Sequence, residues 1–344
     1  MGATLTVRDK SGRPVPVPVS KASGDATETR VWRHEASIEV PVRDAVRRGA
    51  RASLRSWVVG TDGVRYYAPL ITGGVTAISG SPAGGWTVRV RSDEWRVYRA
   101  DFVRPRTVEG LAAEVIQGLI REAIPGARLS VHPRVRAVRL ASTTYEPGAN
   151  SRWKACEASA LAAGAVLYCS AGGTWRLDPP VGVEGPTDWD VLPGEALLSE
   201  QTGEDDDDFY NVVAVSGDTE GEGGTKPYAV AVADSRHAAY IGDAAMGWVT
   251  GSPGGTGSQG RGAYVSHLTL PVSTSEDAMF AARARITGAS MDPRTLVFTS
   301  LDNQWLTVGS RLRVVESSGR PSRHVISRRQ WSYPPAPMTC ETRR

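Results

Sequence analysis

At 344 residues the chain is longer than one hydrophobic core usually supports, so two or three domains are expected. Its longest apolar runs, such as Ala158 to Leu167, fall short of the ~20 residues a membrane helix needs. Met1-Gly-Ala-Thr-Leu-Thr-Val-Arg8 lacks the charged start and apolar core of an export signal, so neither a membrane anchor nor secretion is expected. The net charge of +3, with Arg dispersed among acids and Lys only at Lys10, Lys21, Lys154 and Lys226, excludes the concentrated basic face that a nucleic-acid binder uses to neutralise phosphates.

From Ala3 to about Pro105, short alternating or apolar runs predict strands at Thr4 to Val7, Ala36 to Val40, Ala52 to Val59, Val64 to Leu70, Val75 to Ile78 and Trp86 to Arg91. Gly60-Thr-Asp-Gly63, Gly73-Gly74 and Ser79 to Gly85 read as the turns between them. Strands at this spacing predict a β-barrel or sandwich over residues 1–105.

Thr107 opens an amphipathic helical pattern to about Ile124, with Leu111, Val115 and Leu119 as its stripe and Ala112, Ile116 and Ile120 beside it. A second helix is predicted from about Ser151 to Ala163, with Trp153, Cys156, Ala160 and Leu161 on one side and Gly164 as the stop. Val166-Leu-Tyr-Cys169, Gly172-Gly173 and Thr174-Trp-Arg-Leu177 spell a hairpin. Residues 106–190 therefore read as a small α+β domain.

Val191 to Gly217 returns to β-structure, interrupted by the acidic run Glu204-Asp-Asp-Asp-Asp208. Residues 216–263 read as a Gly-rich insertion, loosest from Gly251 to Gly260. Tyr264 to Val272 is a predicted strand, and Ser273-Thr-Ser-Glu276 has capping-box spacing before a helix to Ile286. Strands at Leu296 to Phe298, Arg311 to Val315 and His324 to Trp331, with a turn at Leu306-Thr-Val-Gly309, complete a second β-barrel made of 191–215 and 264–344. The expected fold class is thus mainly β with an α+β middle domain.

Residue types that could carry chemistry have plainer readings. The acidic run lacks the alternating ligands and Gly of a calcium loop, and reads as a solvated turn. The Gly-rich run lacks the Gly-Lys-Ser/Thr ending of a phosphate loop. His34, His132, His237, His267 and His324 show neither metal-ligand spacing nor a nucleophile elbow nearby. Asp93 and Glu94 beside Trp95 resemble a glycosidase pair, but adjacent residues of a strand face opposite ways. Cys156, Cys169 and Cys340 read as reduced, buried thiols. The ten Trp and ten Tyr fall mostly at apolar positions, which implies packing before a sugar groove. Arg328-Arg329-Gln330-Trp331 is a single basic and aromatic cluster, a thin basis for binding single strands. No catalytic, metal or cofactor residue is assigned.

The order of these pieces resembles the tail hub proteins of tailed bacteriophages, relatives of the baseplate hub of contractile phages and of spike-bearing secretion proteins. The matching stretches are Ala36 to Val40 followed by Asp44, Arg47 and Arg48; Thr107 to Ile124; Trp153 to Gly164 with Val166-Leu-Tyr168; Trp175; Asn211 to Gly217; Glu276 to Ile286; and Leu306 to Gly309. The family pattern has Ser-Pro after an Asp in the insertion, where this chain has Asp234-Ser-Arg-His237. The resemblance implies two barrels related to the tail-tube subunit. It also implies a homotrimer presenting six barrels at the virion tail tip, assembled in the host cytoplasm. Implied partners are distal tail or tail tube proteins, the end of the tape measure, and tail-tip or fibre proteins, with nucleic acid met only in passage through a lumen. It further implies a structural role without catalysis or cofactor. A distal tail ring protein, or an envelope-degrading or carbohydrate-binding tail-tip protein, is the alternative.

Overall fold

The computed structural model describes residues 2–9, 11–28, 31–41, 46–81, 83–204, 210–220, 224–233, 263–288 and 294–343. Asp44, Asp205 to Asp208, Asp234 to His237 and the Gly251 to Gly260 run lie outside the described residues.

Period-two alternation sends one side of each strand inward. β1 (Gly2–Arg8) buries Leu5 and Val7, β4 (His34–Val40) buries Ile38, and β5 (Arg51–Val59) buries Leu54. With β2 (Pro14–Val17), β3 (Lys21–Thr27), β6 (Arg65–Ser81) and β7 (Gly85–Ser92) they form a first core, which also takes in Trp331. β13 (Trp189–Val191), β14 (Leu197–Glu204), β18 (Arg294–Ser300), β19 (Arg311–Val315), β20 (Pro321–Tyr333) and β21 (Met338–Arg343) surround a second core of Val191, Phe298, Leu312 and Met338, joined by Ala26 of β3.

All these strands belong to one 13-stranded sheet, with main path β14-β18-β21-β20-β3-β4-β7-β6-β5-β1-β2. Where two closed barrels were expected, the pairings among the described residues run as an open path. The joint between the β-regions is the antiparallel ladder of β3 and β20, from Ala22 opposite Tyr333 to Thr27 opposite Arg328. Ala22 and Trp331 lie in the first core, while Ala26 and Ile326 lie in the second. Both strands therefore change core midway along their length.

An α+β body sits beside this sheet. α1 (Glu94–Arg99), β8 (Arg106–Leu111), α2 (Ala112–Ala123) and α3 (Ser151–Ala162) contribute Val97, Val108, Ile116, Ile120, Trp153 and Cys156 to one core. β8 pairs with β10 (Arg139–Tyr145). The predicted hairpin is present as β11 (Val166–Cys169) and β12 (Trp175–Asp178), with β9 (Leu129–Val131) added in parallel. β15 (Val212–Gly217), β16 (Tyr228–Val232) and β17 (Val265–Leu270) form a separate sheet under α4 (Ser275–Gly288). The sequence pattern grouped β15, β17 and α4 with the closing β-region, but their core includes Ala112 of α2 and Ala162 of α3. Small side chains explain the close approach: a Cβ on Gly164, just after α3, would stand 2.6 Å from the Phe280 ring of α4.

Other elements also differ from expectation. β6 runs through Gly73-Gly74 without turning; a Cβ on Gly73 would stand 1.9 Å from the Arg91 carbonyl oxygen, so the glycine permits close strand contact. Thr107 lies in β8, not in a helix, and its hydroxyl meets that of Thr144 across the ladder at 2.8 Å. The buried face of α2 is Ala112, Ile116, Leu119 and Ile120, with Leu111 left exposed. The cap of α4 is shifted by one residue, the Asp277 amide donating to Thr274 Oγ1 at 3.1 Å and that hydroxyl meeting the Asp277 carboxylate at 2.8 Å. Asp93 and Glu94 stand at the start of α1 and not on a strand.

At the joint, a Cβ on Gly24 would stand 2.5 Å from the buried Trp331 ring and 2.7 Å from the Glu35 carbonyl oxygen. Gly24→Ala is expected to lower the unfolding free energy by roughly 1–3 kcal/mol. Gly118→Ala on exposed α2 surface, where a Cβ meets open space, should raise it by about 0.5–1 kcal/mol. Denaturant unfolding of the two variants measures both; a tolerated Gly24→Ala would contradict the tight packing of Trp331 on β3.

Candidate functional site

The histidines do not converge. His34 is buried in the sheet, His132 sits in a turn where its Nδ1 accepts the Arg134 amide at 3.1 Å, His267 is exposed on β17, and His237 lies outside the described residues. His324 is buried between two hydroxyls: its Nε2 is 2.8 Å from Ser322 Oγ and its Nδ1 2.9 Å from Thr342 Oγ1. The Glu316 carboxylate accepts from Ser322 Oγ at 3.1 Å. A catalytic triad places the imidazole between serine and acid so that the acid orients the ring. Here the acid is on the far side of the serine, so the chain Glu316-Ser322-His324-Thr342 ties the turn after β19 to β20 and β21 without that geometry. Among the described residues no His, Cys, Asp and Glu set could hold a metal ion.

Asp93 and Glu94 are both buried, and burial pushes both carboxyl groups above the usual carboxylate range. Asp93 meets Arg51 of β5 at 3.0 Å, and Arg51 also donates to the Gly173 carbonyl at 3.2 Å. Glu94 accepts the Cys169 amide of β11 at 2.7 Å. The pair thus fastens the first β-region to the α+β body, with each carboxylate engaged on a different element. The three cysteines are free and buried, with burial raising each thiol, to about 12 for Cys156 and Cys340.

The Arg328 to Trp331 cluster is also consumed internally. Arg329 is buried with Asp302 at 3.3 Å, Arg328 lies 2.9 Å from Glu341 and 3.8 Å from Asp25, and Trp331 covers Gly24. Trp153 and Trp175 are buried as expected for core residues, whereas Trp305 is 55% exposed on the turn after β18. No feature of the sequence pattern marked Trp305 out, because its neighbours Leu306 and Val308 are apolar and buried.

A cleft of about 500 Å³ opens where the two halves of the α+β body meet the closing β-region. Leu161, Ala281, Leu306 and Val308 line it, together with Arg33, Arg285, Arg343 and Trp305. Its cations are already held: Arg343 by Glu28 at 2.9 Å and the Val181 carbonyl at 2.8 Å, Arg33 over the Tyr168 ring at 3.7 Å, Arg285 over the Tyr210 ring at 5.3 Å. Apolar walls with occupied charges suit packing of another chain's side chains more than acid–base chemistry. A second apolar display is the β5–β6 hairpin end, where Val59, Val64, Tyr66 and Tyr67 are each about half exposed.

Neither a protein-family model nor a curated protein sequence matches the chain. Among solved structures, it is similar to the tail protein from Neisseria meningitidis MC58, with a TM-score of 0.64 and 13% identity over 100% of this chain and 97% of that one. It is likewise similar to the 43 kDa tail protein of prophage MuSo2 from Shewanella oneidensis, with a TM-score of 0.63 and 12% identity over 100% of this chain and 98% of that one. The E. coli c3393 protein, a type VI secretion component described as similar to the T4 bacteriophage tail proteins gp27 and gp5, aligns at a TM-score of 0.50 with 10% identity, over 98% of this chain and 76% of that one. The chain has the fold of these phage tail and secretion proteins, and the tail hub resemblance read from its sequence is borne out at that level.

Burial holds the His34 imidazole neutral down to about pH 3, with Arg33 and Arg329 adding to the effect. The unfolded ring takes up its proton near pH 6.5, so this group stabilises the fold above that pH and the contribution is lost as pH falls toward 3. In a His34→Gln variant the slope of unfolding free energy between pH 6 and pH 4 should be shallower than in the parent by on the order of 1 kcal/mol per pH unit. Equal slopes would show that the ring is solvated in the folded state.

Proposed function

We propose that this chain is a structural tail hub, three copies of which close a ring at the virion tail tip. Each copy contributes two tube-like β-units, one built on residues 1–105 and one on the closing β-region, so that three chains present six units to a six-fold tube. The α+β body lies beside them. On this reading the ring joins distal tail or tail tube proteins and the end of the tape measure to tip or fibre proteins, and it carries no catalytic residues.

The observation that most supports this reading is the continuous sheet, which sets two β cores side by side in one rigid chain. Closing a ring of identical copies requires each to present two different, complementary surfaces. A protomer with two unlike β cores meets that requirement, and the tail-protein fold over the full chain length is consistent with it.

Three-dimensional imaging of intact tail particles tests the proposal. Three copies in a ring at the tip, each giving two tube-like units, is the expected result. Six copies would instead indicate a distal ring protein, and a position on a peripheral fibre would indicate a receptor- or envelope-directed role.

A further inference from the structure

The main path of the large sheet has two end strands, and they are chemically unlike; β13, off that path, also has a single partner, β19, but is only three residues long. β2 has the sequence Pro14-Val-Pro-Val17 and pairs with β1 through Val15 opposite Val7 and Val17 opposite Leu5. In an antiparallel ladder, successive residues turn their amides alternately toward the partner and away from it. Proline has no amide to give, so Pro14 and Pro16 occupy the outward-facing positions, and that edge offers acceptors without donors there. Such an edge is protected against strand addition.

β14 at the other end is open. It pairs with β18 on one side, and it has no strand on its other side among the described residues. Leu198, Ser199, Gln201, Thr202 and Gly203 are exposed. No proline interrupts it, and beyond the Leu197 amide, which donates to the Leu192 carbonyl at 3.0 Å, its outward-turned backbone groups face no strand among the described residues. Exposed apolar side chains stand at the same place: Leu198 on the strand, and Leu301, whose amide donates to the Ala196 carbonyl at 3.2 Å, each more than half exposed. Trp305, on the same turn as Leu301, is exposed as well.

We infer that β14 receives an extended segment of a different tail protein, which adds to the sheet as a further strand and covers Leu198 and Leu301 with its own apolar side chains. The ladder would supply affinity through main-chain hydrogen bonds, and the apolar contacts would supply register. In a three-fold ring the large sheet of a second copy is a poor occupant. The opposite end of its sheet is closed by proline, and pairing β14 with another β14 requires a two-fold axis. The inference rests on the hub reading for the identity of the partner's surroundings.

Amide hydrogen exchange over residues 198–204, measured on the isolated full-length chain and on intact tail particles, tests it. The outward amides are expected to exchange fast in the isolated chain and about a hundredfold more slowly in particles. Fast exchange in particles that contain the chain would overturn the inference and leave the hub reading standing; particles lacking the chain would overturn both. Protection already present in the isolated chain, rising with its concentration, would make the occupant a second copy and also overturn it. As a second readout, Leu198→Asp is expected to keep the parent melting temperature while incorporation into particles falls at least tenfold, roughly what burying an unpaired charge implies. Undiminished incorporation would count against a covered Leu198.

Discussion

Residues 22–27 and 328–333 meet in one antiparallel ladder, and both β cores lie against it. Each of these strands serves the first core with one end and the second with the other. Neither core is therefore complete without a strand that also belongs to its neighbour. This shared ladder turns two β-regions, separated by the whole α+β body in sequence, into a single stiff element. It depends on a contact that tolerates no side chain at Gly24, because the Trp331 ring fills that space.

Arginine does much of the remaining joining. Arg51 connects β5 to Asp93 and to the Gly173 carbonyl, Arg343 connects β21 to Glu28 and Val181, and Arg311 connects β19 to Gly182. In Arg51 and Arg343 one planar guanidinium reaches groups on separate segments at once, which a lysine's point charge does less well. The arginines, dispersed among acids in the sequence, are spent substantially within the chain. Surfaces left for partners are accordingly more apolar: the β5–β6 hairpin end, Leu198, Leu301 and Trp305.

Strong local patterns carried the reading of the sequence furthest. β1, β4, β5 and β7 alternate cleanly, Gly172-Gly173 marks the β11–β12 hairpin, and Trp153 with Cys156 defines the buried face of α3. β3 was invisible because Lys21-Ala-Ser-Gly-Asp-Ala-Thr27 has almost no apolar signal of its own. It is held by ladders on both sides and covered by a Trp some three hundred residues away. The pair Gly73-Gly74 looked like a turn because glycine's use in close strand contact leaves the same local mark. Asp93 and Glu94 were placed on a strand because nothing local announces a six-residue helix whose acids are buried against other segments. The surfaces suited to assembly were the least visible, since an exposed Leu or Trp has no sequence pattern distinct from a core one.

The β3–β20 ladder also imposes an order on synthesis. Gly24 leaves the ribosome long before Trp331, and at ordinary translation speeds the interval is about 15–60 s. During that time β3 has one edge unmet and the first core lacks the buried Trp331 ring. The chain must hold that edge apart from other nascent copies until its last strands arrive. Any product truncated before β20 would keep it permanently bare, so ribosomes that fail to finish would release a chain prone to stick. The order of the strands thus sorts complete chains from incomplete ones.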